Sequence, residues 1–213
     1  MTDPSEFQAL AAAIGCEISA EGARRLLAYL DAMLEENRVV NLTAIRERES
    51  AVLLHALDSV AMGAFELKRE ALNTLDLGTG NGFPGVALAC LFPKAHVTLM
   101  DRTLKKLLAI SRALEAAGFD PQQFDTVQMD ASEAPAHGYG NHFDLITSRA
   151  VGPPEAIGRL ARPLLARNGG LLAWLSEGTE APKALDCGLR LVKVHAYPLP
   201  APADRVRRLA YYA

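Results

Sequence analysis

The stretch Leu75 to Gly85, LDLGTGNGFPG, is an apolar run that carries one acid, Asp76, and then breaks into glycines at 78, 80, 82 and 85. Glycines at that density let a backbone approach a ligand where a Cβ would block it. An apolar strand before such a loop and a helix after it form a nucleotide-binding turn. Further acids stand at matching places along the chain: Asp101 ends HVTLMD and Asp130 ends DTVQMD. Acids that close three successive strands beside a glycine loop are better explained by one ligand across the carboxyl edge of a sheet than by unrelated solvated strand ends.

Glycine spacing alone leaves two ligands open. Read from Gly80 the pattern is GxGxxG, the dinucleotide fingerprint. Read from Asp76 it is DxGxGxG, the pattern of methyltransferases that use S-adenosylmethionine. Asp76 favours the second reading. A pyrophosphate is anionic and seeks the positive end of a helix, so an acid close before the first glycine opposes it. A sulfonium ligand carries a cationic sulfur and an ammonium group, which an acid complements. Asp101 could accept the ribose hydroxyls of either ligand. Asp130, or the backbone beside it, could meet an adenine edge.

The elements around these residues predict an α/β fold. Ser19 to Glu36 forms an amphipathic helix with Leu26, Leu27, Leu30, Met33 and Leu34 on one face. A second helix is expected from Ser50 as N-cap, carrying Val52, Leu53, Leu57 and Val60. Beyond residue 70 the pattern turns to strand–helix alternation, with strands at LNTLDLG, 96–101, 125–130 and 142–150. Helices are expected in PGVALACLF, where Pro84 suits a first turn, and over 102–118 and 154–165. Gly169-Gly170 reads as a turn into LLAWLS, and the tail offers RLVKVHAYPLP and RVRRLAYYA without a long helix between them. The prediction is a mostly parallel, Rossmann-like sheet with helices on both faces and a hairpin at one edge. Residues 1–70 form an N-terminal helical extension and 71–213 the ligand-binding domain, in one compact unit.

Composition narrows the classes. The chain has 213 residues, half of them hydrophobic, with 22 basic and 25 acidic side chains and a net charge of −3. Net charge therefore offers no support for a nucleic-acid partner; local patches must. Cys16, Cys90 and Cys187 are scattered and odd in number, which argues against a disulfide framework or a zinc site, and no metal is expected. The opening MTDPSEFQAL is too acidic and polar for a signal peptide. No apolar run reaches the ~18 residues of a membrane span, so a cytoplasmic location is expected; a monomer is the separate expectation for assembly.

Several short motifs then line up in order: NLT at 41–43, His55-x-x-Asp58-Ser59, DLGTGNGFPG at 76–85 and FDLITSRA at 143–150. Together they resemble the bacterial 16S ribosomal RNA guanine-N7 methyltransferases, the RsmG or GidB family. The resemblance runs from about Ser19 to Trp174. It implies a methyltransferase fold, S-adenosylmethionine as cofactor, the small ribosomal subunit as partner, and transfer to N7 of a guanine in 16S rRNA. Carried over residue by residue, it assigns cofactor contacts to Gly78 and Phe83, Asp101, Ala131-Ser132 and Arg149. Asp76, Gly80 and Asp130 join them from the loop and strand-end reading. Arg149 could equally reach guanine or a phosphate. Where relatives often end the third strand with Arg, this chain has Asp130. Where they have Leu-Lys-Gly it has Leu175-Ser176-Glu177-Gly178, and RRLAYYA lacks their basic finish.

Guanine N7 already has a lone pair, so this chemistry needs no general base, and the sequence shows none. His55, Asp58 and Ser59 share a helix face, but without GxSxG a hydrolase triad is disfavoured. His55 and Asp58 are expected to bond the extension to the catalytic domain, with an RNA-facing role as the alternative. Asn41 is expected to bond backbone in the interhelical turn, with base contact as its alternative. Arg46 and Arg48, with Arg102, Lys105, Lys106 and Arg112, would touch phosphate if they flank the cofactor mouth. A nicotinamide oxidoreductase and a non-catalytic cofactor-binding assembly protein remain the rival readings.

Overall fold

The computed structural model describes residues 2–67, 72–149 and 151–213. The expected boundary at 70/71 and Ala150, the end of the SRA motif, lie outside them.

The helical extension opens with α1 (Pro4–Ala13), which the sequence reading missed. Its N-cap Asp3 accepts from the Ser5 and Glu6 N–H groups, and Glu6 returns a bond to the Asp3 N–H. That reciprocal capping box, with Pro4 in the first turn, is the signal that marks this helix. Helix α2 (Ala20–Asn37) follows an N-cap at Ser19 and buries Leu26, Leu27, Leu30 and Met33 as expected. The next helix starts earlier than predicted. Helix α3 (Arg48–Ala51) has Glu47 at its N-cap, so Ser50 lies inside it. It runs into a π-helical stretch, Val52–Leu57, and a last turn, α4 (Asp58–Val60).

Among the described residues one sheet of seven strands follows, in the order β3-β2-β1-β4-β5-β7-β6. Strands β1 (Asn73–Leu77), β2 (His96–Asp101), β3 (Phe124–Gln128), β4 (Phe143–Ser148) and β5 (Leu165–Leu175) are mutually parallel. Strand β7 (Arg205–Tyr212) pairs antiparallel with β5 and with β6 (Leu191–Leu199). The expected edge hairpin is therefore present, with its second strand inserted against β5. Two boundaries differ from expectation. Strand β3 ends at Gln128, which leaves Asp130 in the turn beyond it. Gly169-Gly170 lies within β5, where the Tyr211 ring covers Gly170 so closely that a Cβ there would collide with it.

Helices α5 (Gly85–Leu91), α6 (Leu104–Ala116) and α7 (Pro154–Ala161) complete the alternation. Pro84 is the N-cap of α5 rather than its first residue. Helices α1, α2, α5 and α6 pack in one apolar cluster on one sheet face, and α7 packs in a second cluster on the other. The helical extension thus shares a core with the sheet. The central β1 alternates accordingly: Leu75 and Leu77 enter the α7 cluster, while Asp76 turns toward α5.

Candidate functional site

The turn after β1 takes its shape from glycines and one buried acid. Gly78, Gly80 and Gly82 have φ of 71°, 58° and 85°, in the left-handed region that glycine alone enters freely. Beneath the turn Asp76 is buried. Its Oδ2 accepts from the Thr79 hydroxyl at 2.6 Å and the Gly85 N–H at 3.0 Å, and its Oδ1 accepts from the Thr147 hydroxyl at 2.9 Å. Burial raises its pKa against the pull of those three donors. The carboxylate lines neither cavity at the strand ends. This corrects the expectation that Asp76 faces a charged ligand: it staples the turn to α5 and β4.

Two contiguous cavities open at the carboxyl edge, each within the size range of small-molecule sites. The first, about 480 Å³, lies over the ends of β1, β2 and β3. Asp101, Asp130 and Ala131 line it with apolar walls from Met100, Met129 and Leu160. Asp101 accepts from the Gly80 N–H at 3.1 Å and the Thr103 N–H at 2.9 Å, which fixes its carboxylate against the turn. Asp130 accepts from both the backbone and the hydroxyl of Ser132, which hold its carboxyl below the usual range. Ser132 itself is exposed and lies outside the cavity lining. A cradle without Cβ atoms, a carboxylate at a strand end and apolar walls beside it fit an adenosine group.

The second cavity, about 460 Å³, shares Gly78, Asp101, Lys106 and Val151 with the first. Gly80 and Phe83 enter from the turn, His55 from the π-helical stretch, Asp58 from the start of α4, and Arg149 from just past the end of β4. Arg149 ties these elements together. Its Nη1 donates to Leu54 O at 3.0 Å and to Asp58 Oδ2 and Ser59 Oγ at 3.3 Å. Its Nη2 donates to His55 Nδ1 at 3.3 Å and to the Phe83 carbonyl at 3.4 Å.

His55 stacks on the Phe83 ring, with centroids 5.8 Å apart. Since Nδ1 accepts from Arg149, the hydrogen-bond pattern places the proton on Nε2, which donates to Thr43 Oγ1 at 3.0 Å. Burial and then the Arg149 charge push its pKa down to about 3. Asp58 is buried at the centre of the network. It accepts from Arg149, from Arg207 of β7 at 3.0 Å and from the Tyr197 hydroxyl of β6 at 2.7 Å. Its backbone carbonyl accepts from Trp174 of β5. His55 and Asp58 thus join the extension to the sheet, as the sequence suggested.

Other expectations fare differently. Asn41 is exposed; Asn37 caps the interhelical turn instead, accepting from the Leu42 and Thr43 N–H groups at 2.8 and 2.9 Å. Arg46 and Arg48 line a separate groove against α2, and Arg48 pairs with Asp31 at 2.6 Å, so they do not flank the cofactor mouth. Arg112 pairs with Glu36. Tyr29, which bonds the Asn81 carbonyl at 2.9 Å, was not anticipated, nor was the pairing of Arg207 with Asp58. Among the described residues no helix is long and apolar enough to cross a membrane, and no cluster of metal-ligating side chains occurs.

Sheet order, glycine turn and strand-end acids define the S-adenosylmethionine-dependent methyltransferase class of fold. Solved structures agree. Aeropyrum pernix fibrillarin with bound S-adenosyl-L-methionine aligns with a TM-score of 0.53 at 18% identity, over 73% of each chain. A SAM-dependent methyltransferase of Aquifex aeolicus aligns with 0.55 at 15%, over 76% of this chain and 92% of that one. The family is narrower than the fold. The model for rRNA small subunit methyltransferase G, GidB, matches residues 23–186. The ribosomal RNA small subunit methyltransferase G of Leptothrix cholodnii is 34% identical over 98% of this chain and 94% of its own, and that of Limosilactobacillus reuteri 30% identical over 90% and 79%. The chain belongs to the rRNA small subunit methyltransferase G family.

Proposed function

We propose that this protein transfers a methyl group from S-adenosylmethionine to N7 of a guanine in 16S rRNA of the small ribosomal subunit, acting as a cytoplasmic monomer in which helical extension and sheet work as one unit. The observation that carries this reading is the family match across residues 23–186. Bound cofactor supplies an electrophilic methyl carbon on a cationic sulfur. Gly78 and Gly80 would hold it at the turn, Asp101 would take the ribose hydroxyls, and Asp130 with Ala131 would border the adenine. Phe83 and Arg149 hold the turn from the second cavity, while Asp76 and Ser132 act one layer out, on the turn and on Asp130.

The hydrogen-bond pattern of the two cavities is consistent with N7 as the acceptor. His55 is neutral, with Nδ1 occupied by Arg149, and Asp58, Asp101 and Asp130 already accept hydrogen bonds. Among the described residues of the two cavities none is left free to act as a general base, and N7 would need none: its lone pair would form the N–CH3 bond as the S–CH3 bond breaks and S-adenosylhomocysteine leaves. What remains for the protein is alignment of the base, a term that can reach roughly 7–11 kcal/mol in well-oriented systems. His55 and Asp58 serve the substrate by shaping the wall that the base meets. Asn41, exposed at the start of the NLT segment, stays a candidate for RNA contact.

The test is incubation of purified small subunits with the protein and methyl-labelled S-adenosylmethionine, followed by nucleoside mass analysis of the 16S rRNA. Label is expected in 7-methylguanosine; label in another nucleoside, or none, overturns the reading.

A further inference from the structure

The second cavity differs from the first in charge. Asp101 and Asp130 balance Arg102 and Lys106 in the first. In the second, Lys106, Arg149, Arg205 and Arg207 face only Asp58 and Asp101, with His55 neutral. A chain that is acidic overall thus concentrates positive charge at one cavity beside the turn. Cations in a concave, partly desolvated site act more strongly than the same charges spread over a surface.

Two of these cations come from β7. Arg205 and Arg207 are two residues apart on a strand, which sends both side chains to one face. Asp58 holds Arg207 through its Nε at 3.0 Å and Nη2 at 3.3 Å. Arg205 is exposed, and its Nε donates to the Ala203 carbonyl at 3.3 Å. Asp58 serves Arg149 and Arg207 together, so one carboxylate faces two guanidinium groups and leaves a positive charge in excess.

We infer that the pair Arg205 and Arg207 forms an anion subsite that holds a phosphate of the RNA strand next to the base being methylated. The inference rests on the function proposed above and adds the groups that grip the strand. Arg207 is the fixed member, set by Asp58 and the Tyr197 hydroxyl behind it. Arg205 is the outer member, exposed and held by its bond to the Ala203 carbonyl. Lys106 stands on the wall shared by the two cavities. The same guanidinium chemistry could instead receive the carboxylate of the methyl donor, so the experiment separates the two sources.

Arg205→Gln removes the outer charge from an exposed position, and Arg207→Lys keeps a charge beside Asp58 while losing the fork. Thermal unfolding establishes that each variant folds. For each, binding of 16S rRNA is measured across a potassium chloride series, binding of S-adenosylhomocysteine by calorimetry, and KM and kcat with small subunits. Arg205→Gln is expected to weaken RNA binding roughly five- to tenfold and to flatten the salt slope by about 0.7–0.9. Arg207→Lys is expected to weaken it several-fold with the slope kept. Both should raise KM with kcat retained and leave S-adenosylhomocysteine affinity unchanged. Unchanged RNA affinity and slope in Arg205→Gln overturn the inference. So does a loss that falls on S-adenosylhomocysteine, which would assign the subsite to the cofactor carboxylate. If the unmodified protein binds RNA yet transfers no methyl group, the proposed function fails while the subsite is still read from the binding arms.

Discussion

Asp76 and Gly85 stand nine residues apart, and the Oδ2 of the first accepts the N–H of the second at 3.0 Å, which closes the glycine turn onto the start of α5. The acid is buried and holds two hydroxyls as well, those of Thr79 and Thr147. Asp76→Ala should therefore act without any ligand present. Loss of these bonds, with the Gly85 N–H left unpaired, should cost roughly 2–4 kcal/mol. Urea unfolding of the ligand-free protein measures it. A ligand-free stability equal to that of the unmodified chain would return Asp76 to a role at the ligand.

Asp58 presents a different case, because it neutralises two arginines at once. Asp58→Ala leaves Arg149 and Arg207 as buried or half-buried charges without their acid, and breaking such a pair costs about 3–5 kcal/mol. Asp58→Asn keeps one acceptor and should cost less. Thermal unfolding of both variants, at fixed salt, gives the order; equal stabilities would show that the carboxylate charge contributes nothing.

Legibility followed sequence distance. Strands β1, β2 and β4, the amphipathic face of α2 and the glycine turn were readable because each is specified by neighbours a few residues apart. So was Asp101, since a strand end announces itself. Arg207 was not readable. Its place beside Asp58 depends on β7 entering between β5 and β6, and nothing local to VRRL records that pairing. The position of Asp76 failed for a related reason. Its charge was visible, but one of the three bonds that make it a staple comes from Thr147 on β4, 71 residues along the chain. Asn37 and Asn41 make a similar point at short range: the bond expected of Asn41 is made by Asn37, the last residue of α2, to the Leu42 and Thr43 N–H groups.

His55 gives the fold a pH dependence whose sign is fixed. Its pKa is about 3 in the folded chain against an ordinary 6.5, so the folded state binds fewer protons than the unfolded one between those values. The stability it contributes is complete above the ordinary value and is lost as pH falls toward the folded one, by at most about 1.4 kcal/mol per pH unit. His55→Gln should flatten this slope. Urea unfolding at pH 7, 6 and 5 on both proteins tests it, and parallel slopes would count against His55 as the source.

Asp101 should carry cofactor affinity. Its oxygens already accept the Gly80 and Thr103 N–H groups, so the carboxylate is held at the mouth of both cavities before any ligand arrives. Asp101→Asn preserves shape and one acceptor oxygen, but its amide nitrogen can accept neither a ribose hydroxyl nor the second of the two backbone N–H groups, so thermal unfolding is run beside the titration. A charged hydrogen bond of about 1.5–3 kcal/mol is then lost, which corresponds to an S-adenosylhomocysteine affinity roughly 10- to 150-fold weaker. Titration calorimetry reads that ratio directly. The RNA arm supplies the contrast: with the basic residues of the second cavity intact, 16S rRNA binding by Asp101→Asn should stay within about twofold, because its salt-dependent part comes from cations. A variant that keeps S-adenosylhomocysteine affinity and loses RNA would reverse the roles assigned to the two cavities.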